Sequence, residues 1–275
     1  MPRNQEALVS RLRVAPGKKR LRLARVDPDD TLGLPGKPEA QRALAHNVER
    51  IAALQERLFA EHRRALLVVL QALDAGGKDG TVRAVFSGVN PQGCRVTSFK
   101  APSAEELAHD YLWRIHGATP RRGEIGIFNR SHYEDVLVVR VDSLVPPEVW
   151  SARYEQINAF ERLLVDNGTE IVKLFLHISR EEQAERLRER VSHPEKRWKF
   201  SPDDLSKRAQ WDDYMTAYEE ALHRCSSEHA PWYVVPANRN WVRNLAVSSI
   251  VRAKLEAMDP QFPQPKFDPA TIVIE

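Results

Sequence analysis

The chain has 275 residues, of which 42% are hydrophobic and 29% are charged. A chain of this size and composition can bury a core without disulfides or a structural metal, which excludes the small cross-linked classes of protein. Its net charge of +3 is too small to indicate a polyanionic partner by itself. The polar N-terminus, two cysteines interpreted as free thiols and the lack of a long apolar run predict a cytoplasmic protein with no membrane partner.

The pattern of apolar residues along the chain predicts an α/β fold. Residues 1–37 hold several prolines and glycines and predict an extended N-terminal arm. Apolar residues recur at helical spacing over 38–62, and the continuous apolar run over 65–73 is typical of a strand buried on both faces. Strands and helices then alternate, which predicts a parallel five-stranded sheet flanked by helices. The other predicted strands are 94–99, 125–129, 171–178 and 232–236, and the other helices are 78–87, 104–115, 148–165 and 240–258.

A long charged stretch separates the fourth and fifth predicted strands. It spans residues 180–229, and its low apolar content predicts a mobile helical lid inserted into a main domain of residues 38–258. Residues 259–275 contain four prolines and are expected to form a C-terminal tail.

The segment from Leu73 to Thr81 is the first candidate site. It follows a predicted buried strand and opens a helix, so that backbone amides and the helix N-terminus form a cradle for phosphate, which Lys78 reaches as a point charge. The Walker pattern is matched imperfectly, because Ala72 and Asp79 stand where it has glycine and a hydroxyl residue. Asp74 is then the candidate ligand for Mg²⁺; the alternative is a plain turn whose glycines only relieve strain. The candidate phosphate-binding residues of this loop are Ala75, Gly76, Gly77, Asp79, Gly80 and Thr81.

Polar residues also follow the third predicted strand. Because the carboxyl ends of parallel strands face the ligand crevice, Arg130 and Glu134 are expected near the phosphates held by the first loop. Arg130 can bind phosphate through two parallel hydrogen bonds, and Glu134 can add a metal contact beside Asp74. The alternative is a surface turn whose carboxylates favour a helix N-terminus.

Basic residues stand beside aromatic ones in the predicted lid. Such residues can close over a nucleotide, with charge on the phosphates and a ring near the base; the alternative is an exposed helix with many salt bridges. Basic pairs recur along the whole chain, and they indicate a channel for a polyanion only if the fold gathers them around one groove. These pairs are Lys18-Lys19, Arg63-Arg64, Arg121-Arg122, Lys196-Arg197 and Lys207-Arg208.

Three motifs, in this order, resemble the polyphosphate kinase 2 family. They are Asp74 to Gly80, Phe128 to Asp135, and Lys196 to Phe200 ahead of Trp211 to Tyr214. The resemblance covers residues 15–260 and implies a P-loop kinase core with a helical lid, which uses inorganic polyphosphate and Mg²⁺ to phosphorylate nucleotides. Asn129, before the arginine of the second motif, looks like the third class of the family, whose members phosphorylate both nucleoside monophosphates and diphosphates.

The resemblance also implies roles for individual residues. Asp74, Lys78 and Arg130 are implied as catalytic. The implied lid contacts are Arg190 and Arg208, and the implied polyphosphate contacts are Lys18, Lys19, Arg121 and Arg122.

Two other functions stay open on the sequence. An ATP-dependent nucleoside monophosphate kinase would have the same core, and basic clusters that form no continuous channel would favour it. A non-catalytic polyanion-binding protein would use a basic, aromatic-studded face and leave the glycine loop a purely structural role. We expect no nucleic-acid partner, and we expect a homo-oligomer, a dimer or tetramer, because enzymes of this size are often symmetric assemblies.

Overall fold

The computed structural model describes residues 2–17 and 20–274 and is built on a central parallel sheet. Its strands are β1 (Ala65–Gln71), β2 (Cys94–Ser98), β3 (Ile125–Asn129), β4 (Thr169–His177) and β5 (Trp232–Pro236), in the spatial order β2-β3-β1-β4-β5. Every residue of β1 is buried, because β1 is a central strand, paired with β3 and β4, in a parallel sheet whose two faces are covered by helices. The predicted α/β fold with five parallel strands is therefore confirmed.

Helices flank the sheet in two groups. The long second and last helices pack together with the first and third helices, and the buried Asn47 side chain donates to the hydroxyls of Ser248 and Ser249 at 2.9 and 3.1 Å within this group. The second group contains the helices Val138–Val141 (α6), Pro147–Asp166 (α7) and Trp211–Cys225 (α10). The α-helices of the described residues are α1 (Pro2–Leu12), α2 (Lys37–Glu61), α3 (Lys78–Phe86), α4 (Ala104–Leu107), α5 (Trp113–Ala118), α6 (Val138–Val141), α7 (Pro147–Asp166), α8 (Arg180–Ser192), α9 (Asp203–Ala209), α10 (Trp211–Cys225) and α11 (Asn240–Met258).

Two local predictions were wrong. The helix predicted over 104–115 is divided into α4 and α5, because the Asp110 carboxylate accepts from the Leu112 backbone N–H at 2.9 Å and forms a turn between them. The predicted extended arm begins with helix α1, whose last residue, Leu12, is buried. Beyond α1, the backbone N–H of Val14 donates to the Trp232 carbonyl at 2.8 Å, which covers the free edge of β5.

The stretch predicted as a lid has two different parts. Helix α10 buries an apolar face that belongs to the main core, including Tyr214, Tyr218 and Leu222. In residues 180–209, all of them described, Leu187 is the one buried apolar side chain. Residues 180–209 therefore have the weak attachment to the core that is expected of a lid. The predicted domain boundaries stay a prediction. No helix of the described ranges has the length and apolarity that a membrane span requires.

Candidate active site

The glycine-rich loop, residues 72–77, joins the end of β1 to the start of α3. A Cβ atom on Gly76 would lie 2.8 Å from the Leu73 carbonyl oxygen and close to the Ala72 methyl group, so only glycine fits there. The first N–H groups of α3, at Lys78, Asp79 and Gly80, have no acceptor within the helix and form an anion site with the helix dipole. Thr81 differs, because its N–H and its hydroxyl both donate to the Gly77 carbonyl at 3.0 Å.

Lys78 folds back over this loop. Its ammonium group donates to the carbonyls of Ala72 at 2.7 Å and Leu73 at 3.3 Å. Burial lowers the pKa of Lys78 to about 8, and Arg130 adds to this effect while Asp74 and Glu134 oppose it. The side chain is therefore a poorly hydrated cation placed where the loop can hold a phosphate.

Arg130, directly after β3, lies between two carboxylates. Its Nη2 donates to Asp74 Oδ1 at 2.5 Å, and its Nη1 is 4.0 Å from Glu134 Oε2. Burial by itself would raise the pKa of Asp74, but Lys78, Arg130 and Arg190 together hold it below the ordinary value. Burial likewise opposes the charge of Arg130, and Glu134 and Asp74 outweigh it and raise the pKa. The sequence prediction that Arg130 and Glu134 lie beside the glycine loop agrees with this geometry.

The backbone of Arg130 is in the left-handed region, with φ 65°, which is costly for a residue with a Cβ atom. Neighbouring groups hold it there. The Arg130 N–H donates to the Leu70 carbonyl at 3.0 Å, and the Ser131 hydroxyl accepts from the buried Gln71 amide at 3.1 Å and from the Tyr133 N–H at 3.2 Å. The guanidinium group is thus directed at Asp74 by a fixed turn.

A small crevice opens beside Arg130. Carboxylates and cations form one wall, and the rings of Tyr214 and Tyr218 on α10 form another. This mixture suits a small molecule with phosphate groups and a flat apolar part. The lining residues are Ala72, Leu73, Asp74, Arg130, Glu134, Leu137, Val138, Gln183, Lys207, Tyr214 and Tyr218.

Asn129 joins the two motifs. Its side-chain Nδ2 donates to Asp79 Oδ1 at 2.7 Å, so the end of β3 is tied to the first turn of α3. Lys199, from the lid stretch, lies 4.0 Å from the other oxygen of Asp79.

The two predicted lid arginines both bind within the lid stretch. Arg190 donates to the Lys199 carbonyl at 3.2 Å and to Asp204 Oδ2 at 3.3 Å, and its charge contributes to the low pKa of Asp74. Arg208 donates to the Arg180 carbonyl at 2.5 Å and to Gln183 Oε1 at 3.0 Å. The adjacent Lys207, which lines the crevice, forms an ion pair with Asp142.

Arg121 and Arg122 are not brought to the site. They are exposed and precede β3, whereas the glycine loop and Arg130 follow β1 and β3. The five residues of β3 separate the amino ends of the strands from their carboxyl ends by roughly 16 Å. The structure therefore does not bring Arg121-Arg122 to the groove at the glycine loop, and their predicted polyphosphate contact stays a prediction. The contacts predicted for Lys18 and Lys19 lie outside the described residues and stay a prediction.

Two arginines that the sequence did not single out as site residues lie against the loop. Arg186 donates to the carbonyls of Ala75 at 3.0 Å, Ala237 at 2.6 Å and Asn238 at 2.9 Å. Arg243, on α11, is 3% exposed and lies against Gly77. The available signal for Arg243 was a charged residue inside the largely apolar face of the last helix.

A metal site in this region would have to be simple. Within residues 2–17 and 20–274, no group of three or more histidine, cysteine, aspartate or glutamate side chains is arranged to hold a metal ion. Mg²⁺ commonly takes only one or two protein carboxylates and completes its shell with water and substrate phosphates. Asp74 and Glu134, on either side of Arg130, fit that requirement.

Comparison with known proteins identifies the family. Residues 36–263 match the model of the polyphosphate kinase 2 family. The chain belongs to this family.

Individual members of the polyphosphate kinase 2 family resemble the chain along nearly its whole length. It is 58% identical to the AMP/ADP-polyphosphate phosphotransferase of Meiothermus ruber over 257 residues, which are 93% of this chain and 96% of that protein. It is 48% identical to the ADP-polyphosphate phosphotransferase of Rhodopseudomonas palustris, over 80% of this chain and 81% of that protein. The crystal structure of polyphosphate kinase 2 from Arthrobacter aurescens superposes with a TM-score of 0.91 and 44% identity, covering 96% of this chain and 94% of that one.

Membership in the polyphosphate kinase 2 family confirms the predicted resemblance and the predicted class, an enzyme that transfers phosphate. It also counts against the non-catalytic polyanion-binding alternative. The roles of individual residues stay predictions.

Proposed function

We propose that the protein transfers the terminal phosphate of inorganic polyphosphate to AMP and ADP, reversibly and with Mg²⁺ as cofactor. The observation that carries this proposal is the 58% identity to the M. ruber AMP/ADP-polyphosphate phosphotransferase over 96% of that protein. The convergence of Lys78, Arg130 and Asp74 at the carboxyl ends of the strands supports it, because these charges suit the transfer of a phosphoryl group.

In this proposal the protein acts by position and charge. The accepting oxygen of AMP or ADP is already ionised at neutral pH, so no general base is required. Lys78 and Arg130 neutralise the transferring group, and Asp74 orients the Arg130 guanidinium through their 2.5 Å hydrogen bond. The crevice lined by Tyr214 and Tyr218 receives the acceptor nucleotide.

The proposed Mg²⁺ site is at the same carboxyl ends of the strands. Asp74 and Glu134 would hold Mg²⁺, which when bound neutralises charge on the phosphate oxygens. The low pKa of Asp74 keeps this carboxylate ionised and available as a ligand.

The range of acceptors is proposed from Asn129. The side chain is a neutral amide that donates to Asp79 at 2.7 Å, so the loop is held without a second carboxylate at this point. The resemblance of Asn129 to the third class of the family implies both mono- and diphosphate acceptors, and the name of the M. ruber relative states AMP and ADP for that enzyme. We further propose a homo-oligomer in the cytoplasm.

A donor swap tests the function. The purified protein is mixed with Mg²⁺ and AMP, either polyphosphate or ATP is added, and ADP and ATP are followed by chromatography. ADP and then ATP forming from polyphosphate alone is the expected result. ADP forming only from ATP would contradict the proposal and support the ATP-dependent monophosphate kinase, which the separation of the basic pairs across the sheet would otherwise favour.

Variants of the two central cations test the mechanism. Lys78→Ala and Arg130→Ala are each expected to lower kcat by a factor of about 10² to 10³, or about 2.7 to 4 kcal/mol, as for other charge-stabilising groups. Lys37→Ala, at the exposed start of α2, is the matched control and should leave kcat unchanged. Near wild-type turnover in either central variant would disprove its assigned role.

A further inference from the structure

Two guanidinium groups fill the side of the glycine loop that faces β4 and β5. A Cβ atom on Gly77 would overlap Nη1 of Arg243 and would lie 3.5 Å from Nη1 of Arg186. A Cβ atom on Gly80 would lie 3.2 Å from Nη2 of Arg243. The glycines therefore allow two cations to approach the backbone of the loop and the start of α3.

The charge of Arg243 has little compensation. In the described part of the chain no carboxylate lies within ion-pair distance of it, and its hydrogen-bond acceptors are the neutral amide oxygens of Asn240 at 2.6 Å and Asn244 at 2.8 Å. Burial lowers the pKa of Arg243 to about 10, and the charge of Arg186 adds to this effect. A buried cation without an anion is unfavourable, so an anion bound at the loop would be stabilised by it.

The start of the loop, Ala72 to Asp74, has a different environment from Ala75 and Gly77, which lie against Arg186 and Arg243. There the crevice beside Arg130 carries the carboxylates Asp74 and Glu134 and the rings of Tyr214 and Tyr218. In-line transfer requires the donor and the acceptor to approach the phosphoryl group from opposite directions. If the acceptor nucleotide occupies the crevice, the donor extends toward Arg186 and Arg243.

We propose that Arg186 and Arg243 form the donor-side wall of the site, which favours the negatively charged chain of inorganic polyphosphate beyond the transferred phosphate over the uncharged nucleoside of ATP. This inference rests on the proposed function and deepens it, because it assigns the choice of donor to two residues. A chain of phosphates carries charge at every unit toward these cations, whereas a ribose and a base would place uncharged groups against them.

Arg243→Gln tests the wall. The glutamine keeps a hydrogen-bonding side chain and removes the buried charge. Arg252→Gln is the matched control, because Arg252 is on the same helix and is bound to Glu256 and Asn47 instead of the loop. Steady-state kinetics give KM for polyphosphate, KM for AMP and the rate with ATP as donor, and thermal unfolding with polyphosphate alone reports donor binding.

We expect Arg243→Gln to raise KM for polyphosphate about tenfold, the loss of one charge-assisted interaction, with KM for AMP unchanged. The shift in Tm caused by polyphosphate should shrink, while Tm without ligand should not fall, because no carboxylate is left unpaired. The ratio of the rates with polyphosphate and with ATP should decrease. Arg252→Gln should change none of the ligand-dependent values.

Several outcomes would overturn the inference. Wild-type KM for polyphosphate and a wild-type ligand-induced Tm shift in Arg243→Gln would show that the charge does not act on the donor, and equal rises in KM for polyphosphate and AMP would indicate general damage. If Arg243→Gln does not fold, Arg243→Lys, which keeps the charge but not the planar fork, should still show a raised KM for polyphosphate alone. Failure of the proposed function is distinct, since the wild-type protein would then form no ADP from polyphosphate.

Discussion

Lys78 combines two opposing demands. Transfer of a phosphoryl group needs a positive charge beside the phosphate, and removal of water strengthens that charge's interaction with an anion. The same desolvation disfavours the ammonium form and lowers the pKa of Lys78 to about 8 in the unliganded protein, with the adjacent Arg130 acting in the same direction. A bound polyanion acts in the opposite direction, so the charge of Lys78 is linked to occupancy of the site.

This linkage predicts a specific pH dependence. Because the pKa of Lys78 is below its ordinary value, the free enzyme loses the charge as the pH rises through about 8, and kcat/KM for polyphosphate should fall there. The bound phosphate raises the pKa, so kcat should hold to higher pH. Kinetics from about pH 6 to pH 10 with saturating AMP measure both profiles.

Lys78→Arg supplies the control for this prediction, because a guanidinium stays protonated over the whole range. Its residual activity should lack the decline in kcat/KM above about pH 8. A decline in the arginine variant that coincides with that of the wild type would assign the titration to another group.

At the scale of elements, the strained turn at Arg130 is supported by a buried polar cluster. The two residues that follow Ser131 both reach Glu161 on α7: Tyr133 donates to Glu161 Oε1 at 2.8 Å, and His132 Nε2 lies 3.2 Å from the same atom. Lys173 on β4 is fully buried, donates to Glu161 Oε2 at 2.5 Å and keeps this carboxylate ionised. The ion pair thus holds the segment that aims Arg130.

Lys173→Met should destabilise the fold by about 3 to 5 kcal/mol, because it leaves a buried carboxylate unpaired. The double variant Lys173→Met with Glu161→Leu should recover most of that stability, yet kcat should stay low, because Tyr133 and His132 lose their acceptor. Urea unfolding and steady-state kinetics measure the two quantities separately. Lys254→Met, which removes a partly exposed ion pair with Glu170, should cost less than about 1 kcal/mol.

Wild-type kcat in the double variant would show that the cluster contributes stability without positioning Arg130. A loss of kcat that is fully accounted for by the fraction unfolded in the single variant would give the same answer. The proposed role requires low turnover in a folded protein.

Sequence patterns predicted elements well where the local signal and the fold agree. Strands β3 and β5 have the predicted bounds, because short apolar runs flanked by turn residues are unambiguous. Helix α10 was assigned to the lid, because its acidic residues obscure the aromatic face that it buries in the core. The Asp110 turn that divides α4 from α5 depends on one side-chain hydrogen bond, which periodicity does not reveal.

At the scale of the whole molecule, the sequence predicted the site residues that depend on local motifs and strand direction but not those that depend on helix packing. Asp74 and Lys78 lie in one contiguous motif and Arg130 directly follows a predicted strand, so strand direction alone predicted that they meet. Arg243 is far along the chain and reaches the loop only because α11 packs beside α3. The basic pairs show the opposite case. They look alike in the sequence, but the parallel sheet places Arg121-Arg122 at the amino ends of the strands, whereas the glycine loop is at the carboxyl ends.

The amino ends of the strands, where Arg121 and Arg122 lie, provide the last test. Arg121 and Arg122 are exposed and precede β3, and the turn that holds them packs against the start of β1, where the Gly123 N–H donates to the Arg64 carbonyl at 2.7 Å. The double variant Arg121→Gln with Arg122→Gln should therefore leave KM for short polyphosphate unchanged, and also KM for long polyphosphate at a salt concentration of about 0.15 M, where charges more than roughly 8 Å apart are screened. Arg243→Gln, in contrast, should raise KM for both chain lengths, because every donor passes the loop. A rise confined to long chains in the double variant would mean that the polyanion extends around the molecule to these amino ends, and the channel predicted from the basic pairs would then be real although it is not one groove.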